Sequence, residues 1–472
     1  MEKFGVKKDS IGFDYVKNTS WVTASKVVES LISYVIVVLI SRYLGAEGLG
    51  QYSFIFSFVG LFFVFSHMGL TAVLVKVLSK DYSKADKYVS TVYRLRLLLA
   101  LAVLVVYAGS LVFVSKEGLM AALLLAGGSH LFGSLFGVSQ AVLRINHEGK
   151  RLALVNIVER IVALVGALVV LPLTQNLTLF VGVLVFGKFL QLVFGYVHSN
   201  RFYKEVGYLE WGLSKSLIRQ GWPFLLVGFF SIIYVRLDTV MLSFMKSDVV
   251  VGWYQAGYKF ITLVNFLPVM LMMFGFPLFS RFLEENKQKA RDLLEKLFKV
   301  AFFIMFPLIT GVWLVGGQVL ELIYSFDASE AFLAFKILII AELFVFLTTI
   351  SGFFIASDNQ KRFAKIAGIG AGVNVVLNLL LIPKFSLYGA GVATLVTYAL
   401  MFFLMVSDIR RKILKFNILK GFWRPLLATT IMGLLVWPLK GSHLVFVILV
   451  GSVSYLVLIF VLYKASRKRF FL

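Results

Sequence analysis

Arg236 and Asp238 stand two residues apart inside an apolar stretch that reads Tyr234, Val235, Arg236, Leu237, Asp238, Thr239, Val240, Met241. A charged side chain held in hydrocarbon costs at least about 2.5–3.5 kcal/mol on insertion scales, so it must border water, a ligand or an opposite charge. The same criterion picks out Lys26 and Glu29, which three-residue spacing puts on one helical face, together with Lys259, Glu159, Lys188, Lys336 and Glu342. Cations in such places can hold an anion, and carboxylates can take up a sodium ion or a proton. Asp238, Glu29 and Glu342 are therefore the candidates for ion coupling. The competing explanation is structural: snorkelling to an interface for Lys26, Lys336 and Glu159, or a buried ion pair. The lone His67 and His130 are read as core residues, with a pH sensor as the sharper alternative.

The elements that must position these groups are transmembrane helices. Hydrophobic residues make up 60% of the 472 positions and charged ones only 15%, arranged in about fourteen blocks of roughly 20 residues, the length that crosses about 30 Å of hydrocarbon. The spans fall near 19–43, 51–75, 90–114, 118–142, 151–172, 177–199, 221–245, 252–280, 297–317, 331–356, 362–382, 389–408, 422–438 and 442–463. With a rise of about 1.5 Å per residue, Arg236 and Asp238 lie roughly 10–14 Å below the outer surface and Lys259 roughly 10 Å below it. An Asp238–Lys259 pair, with Arg236 left over as an anion site, is the arrangement these depths favour.

Positive charge orients the whole. Most of the 47 basic residues, Arg96 and Arg160 counted among them, collect at every second junction, whereas the other loops hold only Arg42, Lys116, Lys246, Lys384 and Lys440. Positive charge gathers on the cytoplasmic side, so both termini are expected there, in a cell (plasma or inner) membrane. This also accounts for the net charge of +23 without a nucleic-acid partner. Two connectors, near 200–219 and 281–296, mix charge with apolar residues at helical spacing and suit interfacial helices.

The chain repeats itself weakly. Gly50, Gln51 and Tyr52 answer to Gly252, Trp253 and Tyr254, and Lys150, Arg151 and Pro172 answer to Lys361, Arg362 and Pro383. Six spans precede each return, so the halves share one orientation, a parallel repeat of the kind found in transporters. The expected division is 1–199, a six-helix bundle with a cytoplasmic lead-in; 200–220, a connector; 221–408, a second six-helix bundle; and 409–472, two peripheral helices with a basic tail. Pro268 and Pro277 in span eight and Gly368, Gly370 and Gly372 in span eleven permit bends, although glycine also marks close helix packing.

Several classes are excluded. The absence of cysteine removes disulfides and thiolate metal sites; no cofactor and no metal is expected. No phosphate-cradling loop marks an ATP-driven pump. A membrane glycosyltransferase or glycan ligase would need a sizeable outer loop with catalytic acids or histidines, and segments such as Leu44 to Gly50 leave little room. The chain is read as no enzyme.

Four stretches then resemble one family: Arg42, Tyr43, Leu44, Gly45 with Leu49, Gly50, Tyr52; Asp238, Thr239, Met241, Leu242 running into Val251, Gly252, Trp253, Tyr254, Gln255, Ala256, Lys259; Phe276, Pro277, Phe279, Ser280, Arg281; and Asn374, Asn378, Leu379, Ile382, Pro383, Gly389, Ala390, Val392, Ala393, Thr394. They are similar to the multidrug, oligosaccharidyl-lipid and polysaccharide exporter superfamily, and within it to the polysaccharide-exporter or Wzx-type flippase branch. The resemblance implies an all-α polytopic fold, two six-helix bundles around a central cavity of alternating access, and a cargo of isoprenoid phosphate or pyrophosphate bearing an oligosaccharide. On it, Arg236, Asp238, Lys259, Lys26, Glu29, Asn374 and Asn378 are the expected cavity residues. The expected partners are that lipid-linked oligosaccharide, membrane lipids and a coupling cation, sodium or proton, served by a monomer. A cation-coupled drug exporter of the same superfamily is the nearest alternative.

Overall fold

The structure is a computed structural model describing residues 8–207, 209–324, 326–357 and 359–465. Lys3 and Lys7 of the lead-in and Arg467, Lys468 and Arg469 of the basic tail lie outside the described residues, among which the chain is helical with no strand. Hydrocarbon explains this: every backbone amide needs an internal partner there, and a helix supplies it within one segment.

The order is α1 (Lys8–His67), α2 (Leu70–Leu78), α3 (Ala85–Ser110), α4 (Met120–Ile145), α5 (Gly149–Thr174), α6 (Leu177–Ser199), α7 (Trp211–Met245), α8 (Asp248–Val264), α9 (Phe266–Glu285), α10 (Lys287–Ile323), α11 (Ser329–Leu347), α12 (Gly352–Ala356), α13 (Gln360–Lys412), α14 (Trp423–Val436) and α15 (Leu444–Ala465). Among the described residues, ten helical stretches are long and apolar enough to cross a membrane. Two of them, of 59 and 53 residues, would measure about 80–90 Å if straight, far beyond one crossing of about 30 Å. Each consists of two arms. Gly45 (φ 67°) joins the arms of α1 and Ser386 (φ 53°) those of α13, both left-handed breaks. At the second break the chain reverses, because a Cβ on Gly389 would strike the Leu381 carbonyl, whereas residues eight apart in a helix are separated by about 12 Å.

The breaks echo the internal repeat. α5 opens at Gly149 and α13 at Gln360, the same offset that relates Lys150 to Lys361, and α8 follows a turn at Ser247 much as the second arm of α1 follows Gly45. Span eight divides at Asn265, between α8 and α9. Pro268 explains the place, since its ring clashes with the carbonyl four residues back, that of Val264. The glycines of span eleven behave differently: α13 is unbroken there, and Gly370 instead admits the Met401 side chain at close range.

The chain forms two compact units, Met1–Val240 and Met241–Leu472, so the packing boundary falls inside α7, beyond the connector at 200–220. In the first unit α4 packs on α6, α5 on both α1 and α6, and α3 on α1 and α4. Its centre is aromatic, with Tyr107 against Phe58, Phe62 and Phe63 while its hydroxyl donates to the Leu123 carbonyl at 2.8 Å. Between α1 and α2 the chain breaks at Met68 (φ 41°) and Gly69 (φ 66°), and here backbone touches backbone: a Cβ on Gly221 of α7 would strike the Met68 carbonyl.

In the second unit α11 packs on α8, α10 and α13. The connector at 281–296 is not a separate interfacial helix. Asn286 ends α9 and caps α10, accepting from the amides of Gln288 (3.0 Å) and Lys289 (3.1 Å), so these residues extend a spanning helix. Likewise α7 already begins at Trp211, within the other expected connector. α14 and α15 form a hairpin on α10, and the apolar window of α15 is only 17% buried, which makes this pair peripheral.

The reversal at Ser386 yields a stability test. Gly389→Ala should destabilise the protein by about 1–3 kcal/mol, the usual cost of forcing extra atoms into close-packed structure, while Gly372→Ala, which meets open space, should be neutral or gain helix propensity. Thermal unfolding in detergent compares the two; equal midpoints would remove the tight reversal.

Candidate functional site

The first unit holds a cluster of buried charge. Glu159 of α5 is only 3% exposed. It pairs with Lys188 Nζ of α6 at 3.3 Å and with Arg160 Nε at 3.2 Å, the latter a contact of charge without hydrogen-bond alignment. Lys188 also donates to Gln191 Oε1 at 2.9 Å, and Gln191 Nε2 donates to Asn156 Oδ1 at 3.0 Å. This ladder ties α5 to α6. Glu159 is thus ion-paired rather than snorkelling.

Arg236 of α7 completes the group. Its charge acts on Tyr52 and His130; Tyr52 also feels Arg160 and Glu159, and His130 also feels Lys188. Arg236 keeps partial exposure. Glu159 is ten residues from the start of α5 and Arg236 nine from the end of α7, which places both roughly 15 Å from their helix ends, near mid-membrane. Two cations pair with Glu159 there, and the Arg236 charge reaches the same tyrosine; even with Glu29, whose charge reaches Lys188, the group holds more cations than carboxylates and can take an anion.

Nearer the start of α1, Lys26 Nζ donates to Glu29 Oε2 at 2.7 Å, the same-face pair the spacing predicts. The other Glu29 oxygen has no hydrogen-bond partner among the described residues, and both Arg144 and Lys188 lie within reach of its charge.

The remaining expected residues are scattered. Asp238 is 1% exposed, and its Oδ1 accepts from the Thr239 amide at 2.6 Å and the Thr239 hydroxyl at 3.2 Å. Lys259 is partly exposed on α8. Glu342 is buried in α11; its Oε2 accepts from Asn265 Nδ2 at 3.4 Å while Oε1 has no partner among the described residues. Asn374 and Asn378, expected on a cavity wall, are both fully buried instead. Asn378 Nδ2 donates to Asn374 Oδ1 at 3.0 Å, Asn374 Nδ2 to Thr397 Oγ1 at 3.2 Å, and Thr397 to the Ala393 carbonyl at 2.7 Å. This polar seam joins the two arms of α13 where water does not reach.

Charge reasoning on the sequence misses two arginines by assigning them to cytoplasmic segments. Arg160 lies inside the very stretch, 151–172, that reads as the fifth span, so the signal was present. Arg96 lies inside α3 and is 1% exposed. Its Nη1 donates to the Ser134 carbonyl at 2.6 Å and its Nη2 to the Thr71 hydroxyl, and no carboxylate pairs with it among the described residues. Gly137 makes the room, since a Cβ there would strike Nη1. Of the two histidines, His130 fits the core reading, against Phe63 at 5.4 Å and Phe56 at 6.4 Å, whereas His67, the last residue of α1, is exposed.

A double-mutant cycle tests the ladder. Lys188→Met leaves Glu159 buried beside Arg160 alone and should cost about 3 kcal/mol, the lower end for breaking a buried pair. Adding Glu159→Gln should recover part of that loss; strictly additive unfolding free energies would dissolve the pair.

Comparison with known proteins places this arrangement. Residues 15–283 match the family model described as polysaccharide biosynthesis protein. The probable flippase AglR of Haloferax volcanii is 31% identical over 172 residues, 35% of this chain and 36% of that protein, so the match spans only about a third of that relative. The uncharacterized membrane protein MJ1068 of Methanocaldococcus jannaschii is 20% identical over 438 residues, 86% of each chain. Among solved structures, the lipid II flippase MurJ in an inward closed conformation superposes with a TM-score of 0.80 at 17% identity, covering 95% of this chain and 99% of that one. An inward-facing multidrug resistance MATE family transporter of the MOP superfamily gives 0.66 at 13% identity, covering 88% and 96%. At such identities the superpositions establish the fold. Because the family model covers more than half of the residues, the chain belongs to the polysaccharide biosynthesis protein family, built on the fold shared by MurJ and the MATE transporters.

Proposed function

We propose that this protein is a flippase that turns a lipid-linked oligosaccharide, carried on an isoprenoid phosphate or pyrophosphate, from the cytoplasmic to the outer leaflet by alternating access. The observation that carries the reading is the cationic excess at mid-membrane depth, where Arg160 and Lys188 pair with Glu159 and the charge of Arg236 reaches the same Tyr52. A phosphate or pyrophosphate head is the anion such a cluster suits: it offers several charged oxygens, and guanidinium groups meet them with paired donors. The family, and the flippase names of AglR and MurJ, support the same cargo class. An excess of positive charge disfavours a cationic drug, which weighs against a MATE-like exporter. Lys26 and Glu29 form the approach to the cluster. Asp238, Glu29 and Glu342 are the carboxylates through which a sodium or proton gradient couples, Lys259 is a further cation for the anionic head, and Asn374 and Asn378 hold the arms of α13 in register.

Reconstituted vesicles test this. Wild-type protein should flip a fluorescent isoprenoid-pyrophosphate oligosaccharide. Arg236→Ala, folded and inserted, should be slower by about tenfold to a hundredfold, the loss of a hydrogen bond to a charged group worth about 1.5–3 kcal/mol. Wild-type flipping by that variant would remove Arg236 from the mechanism, and efflux of cationic drugs without lipid flipping would favour the exporter.

A further inference from the structure

Away from the Glu159 cluster, the first unit buries a cation that no acid meets. Arg96 of α3 is 1% exposed, and a guanidinium keeps its proton even there, so a full positive charge is enclosed by protein. Two of its nitrogens are used, Nη1 on the Ser134 carbonyl of α4 at 2.6 Å and Nη2 on the Thr71 hydroxyl of α2. Nε is buried and has no hydrogen-bond partner among the described residues, and no carboxylate among them pairs with Arg96 or acts on its charge. A buried charge left in that state is strongly destabilising.

Its position sharpens the shortage. Thr71 stands in the first turn of α2, so the guanidinium lies at the N-terminus of that nine-residue helix. The first amides of a helix have no partner within it and carry partial positive charge. At α2 the N-cap is Gly69, which supplies no side chain, and no acid stands in the first turn. The carbonyl end of α1, just before the break, takes no hydrogen bond from Arg96. Two positive poles therefore meet. Room adjoins them: Gly133 and Gly137 share one face of α4, and a Cβ on Gly137 would strike Nη1, whereas a Cβ on Gly133, one turn away, would meet nothing within 4 Å.

We propose that Arg96 and the N-terminus of α2 bind one small monovalent anion, a halide such as chloride. Every group that borders it is a donor: Arg96 Nε, the first amides of α2, and the Ser134 hydroxyl, which accepts from Ser66 Oγ at 3.1 Å and keeps its own proton to give. A phosphate or a lipid head is too large for the place, because a glycine is already required at 137 to seat a single guanidinium nitrogen. The anion neutralises Arg96, caps α2 and fastens this short helix to α3 and α4 across the break at Met68 and Gly69. It is a resident counter-ion, separate from the cluster proposed to meet the cargo.

Thermal unfolding of the full chain in detergent tests it, with sodium chloride or bromide exchanged for sodium gluconate at constant ionic strength. The wild-type midpoint should rise saturably with either halide, by about 2–4 °C. R96M, which keeps a side chain of fair length without the charge, should show no such rise. K76Q, which removes an exposed charge from the last turn of the same helix, should respond as wild type. A wild type indifferent to halide, an equal rise in R96M, or loss of the rise in K76Q would overturn the proposal. Should R96M fail to fold, wild-type crystals grown in bromide decide: an anomalous peak within hydrogen-bond reach of Arg96 Nε supports the site, and the lack of one there overturns it.

Discussion

A charge in hydrocarbon has to be solvated by something, and that constraint explains where the polar side chains of both units lie. Arg96 is solvated by a carbonyl and a hydroxyl, in space that Gly137 vacates. Glu159 is solvated by two cations and held by the Lys188, Gln191 and Asn156 ladder. The amides of Asn374 and Asn378 satisfy one another and Thr397. These are three buried solutions to one problem, none of them complete: Arg96 Nε, Arg160 Nε and Asn378 Oδ1 have no hydrogen-bond partner among the described residues. Arg236 is what opens the second of them, since it adds a cation beside the Glu159 pairs and stays partly accessible.

Backbone amides obey the same rule, so every interruption of a helix stands out. Gly45, Gly69 and Ser386 take left-handed dihedrals, and Asn265 interrupts a span under the influence of Pro268. Glycine adopts such dihedrals without penalty, whereas Ser386, like Met68, His147 and Gln175, takes a positive φ with a side chain in place. At Asn265 the side chain turns to the buried Glu342 and so couples a helix break to a carboxylate. Breaks of this kind are where a helical protein absorbs the dihedral changes of a conformational cycle, because the intact arms move as rigid rods.

The peripheral hairpin shows the constraint from outside. α15 buries little of its surface, yet Tyr455 donates to the Phe303 carbonyl of α10 at 2.8 Å, and Tyr463 lies beneath two cations. Aromatic residues with a polar end serve this role, filling space against the bundle while a hydroxyl such as that of Tyr455 finds a backbone acceptor.

The apolar blocks alone determine the membrane class, because the rise of a helix and the thickness of hydrocarbon fix how long a span must be. Gly45 and Pro268 mark their breaks just as legibly, since each acts through its own backbone. The Lys26–Glu29 pair is equally local. What the tertiary structure decided is which face of each helix meets protein and which meets lipid. Arg96 and Arg160 were misplaced, and Asn374 and Asn378 were expected on a cavity wall, for one reason. In water, an apolar stripe reveals the inward face of a helix; in a bilayer both surroundings are equally apolar, and no stripe is written. The partners that solvate these groups, Ser134 for Arg96 or Lys188 for Glu159, come from other helices, and only packing brings them together.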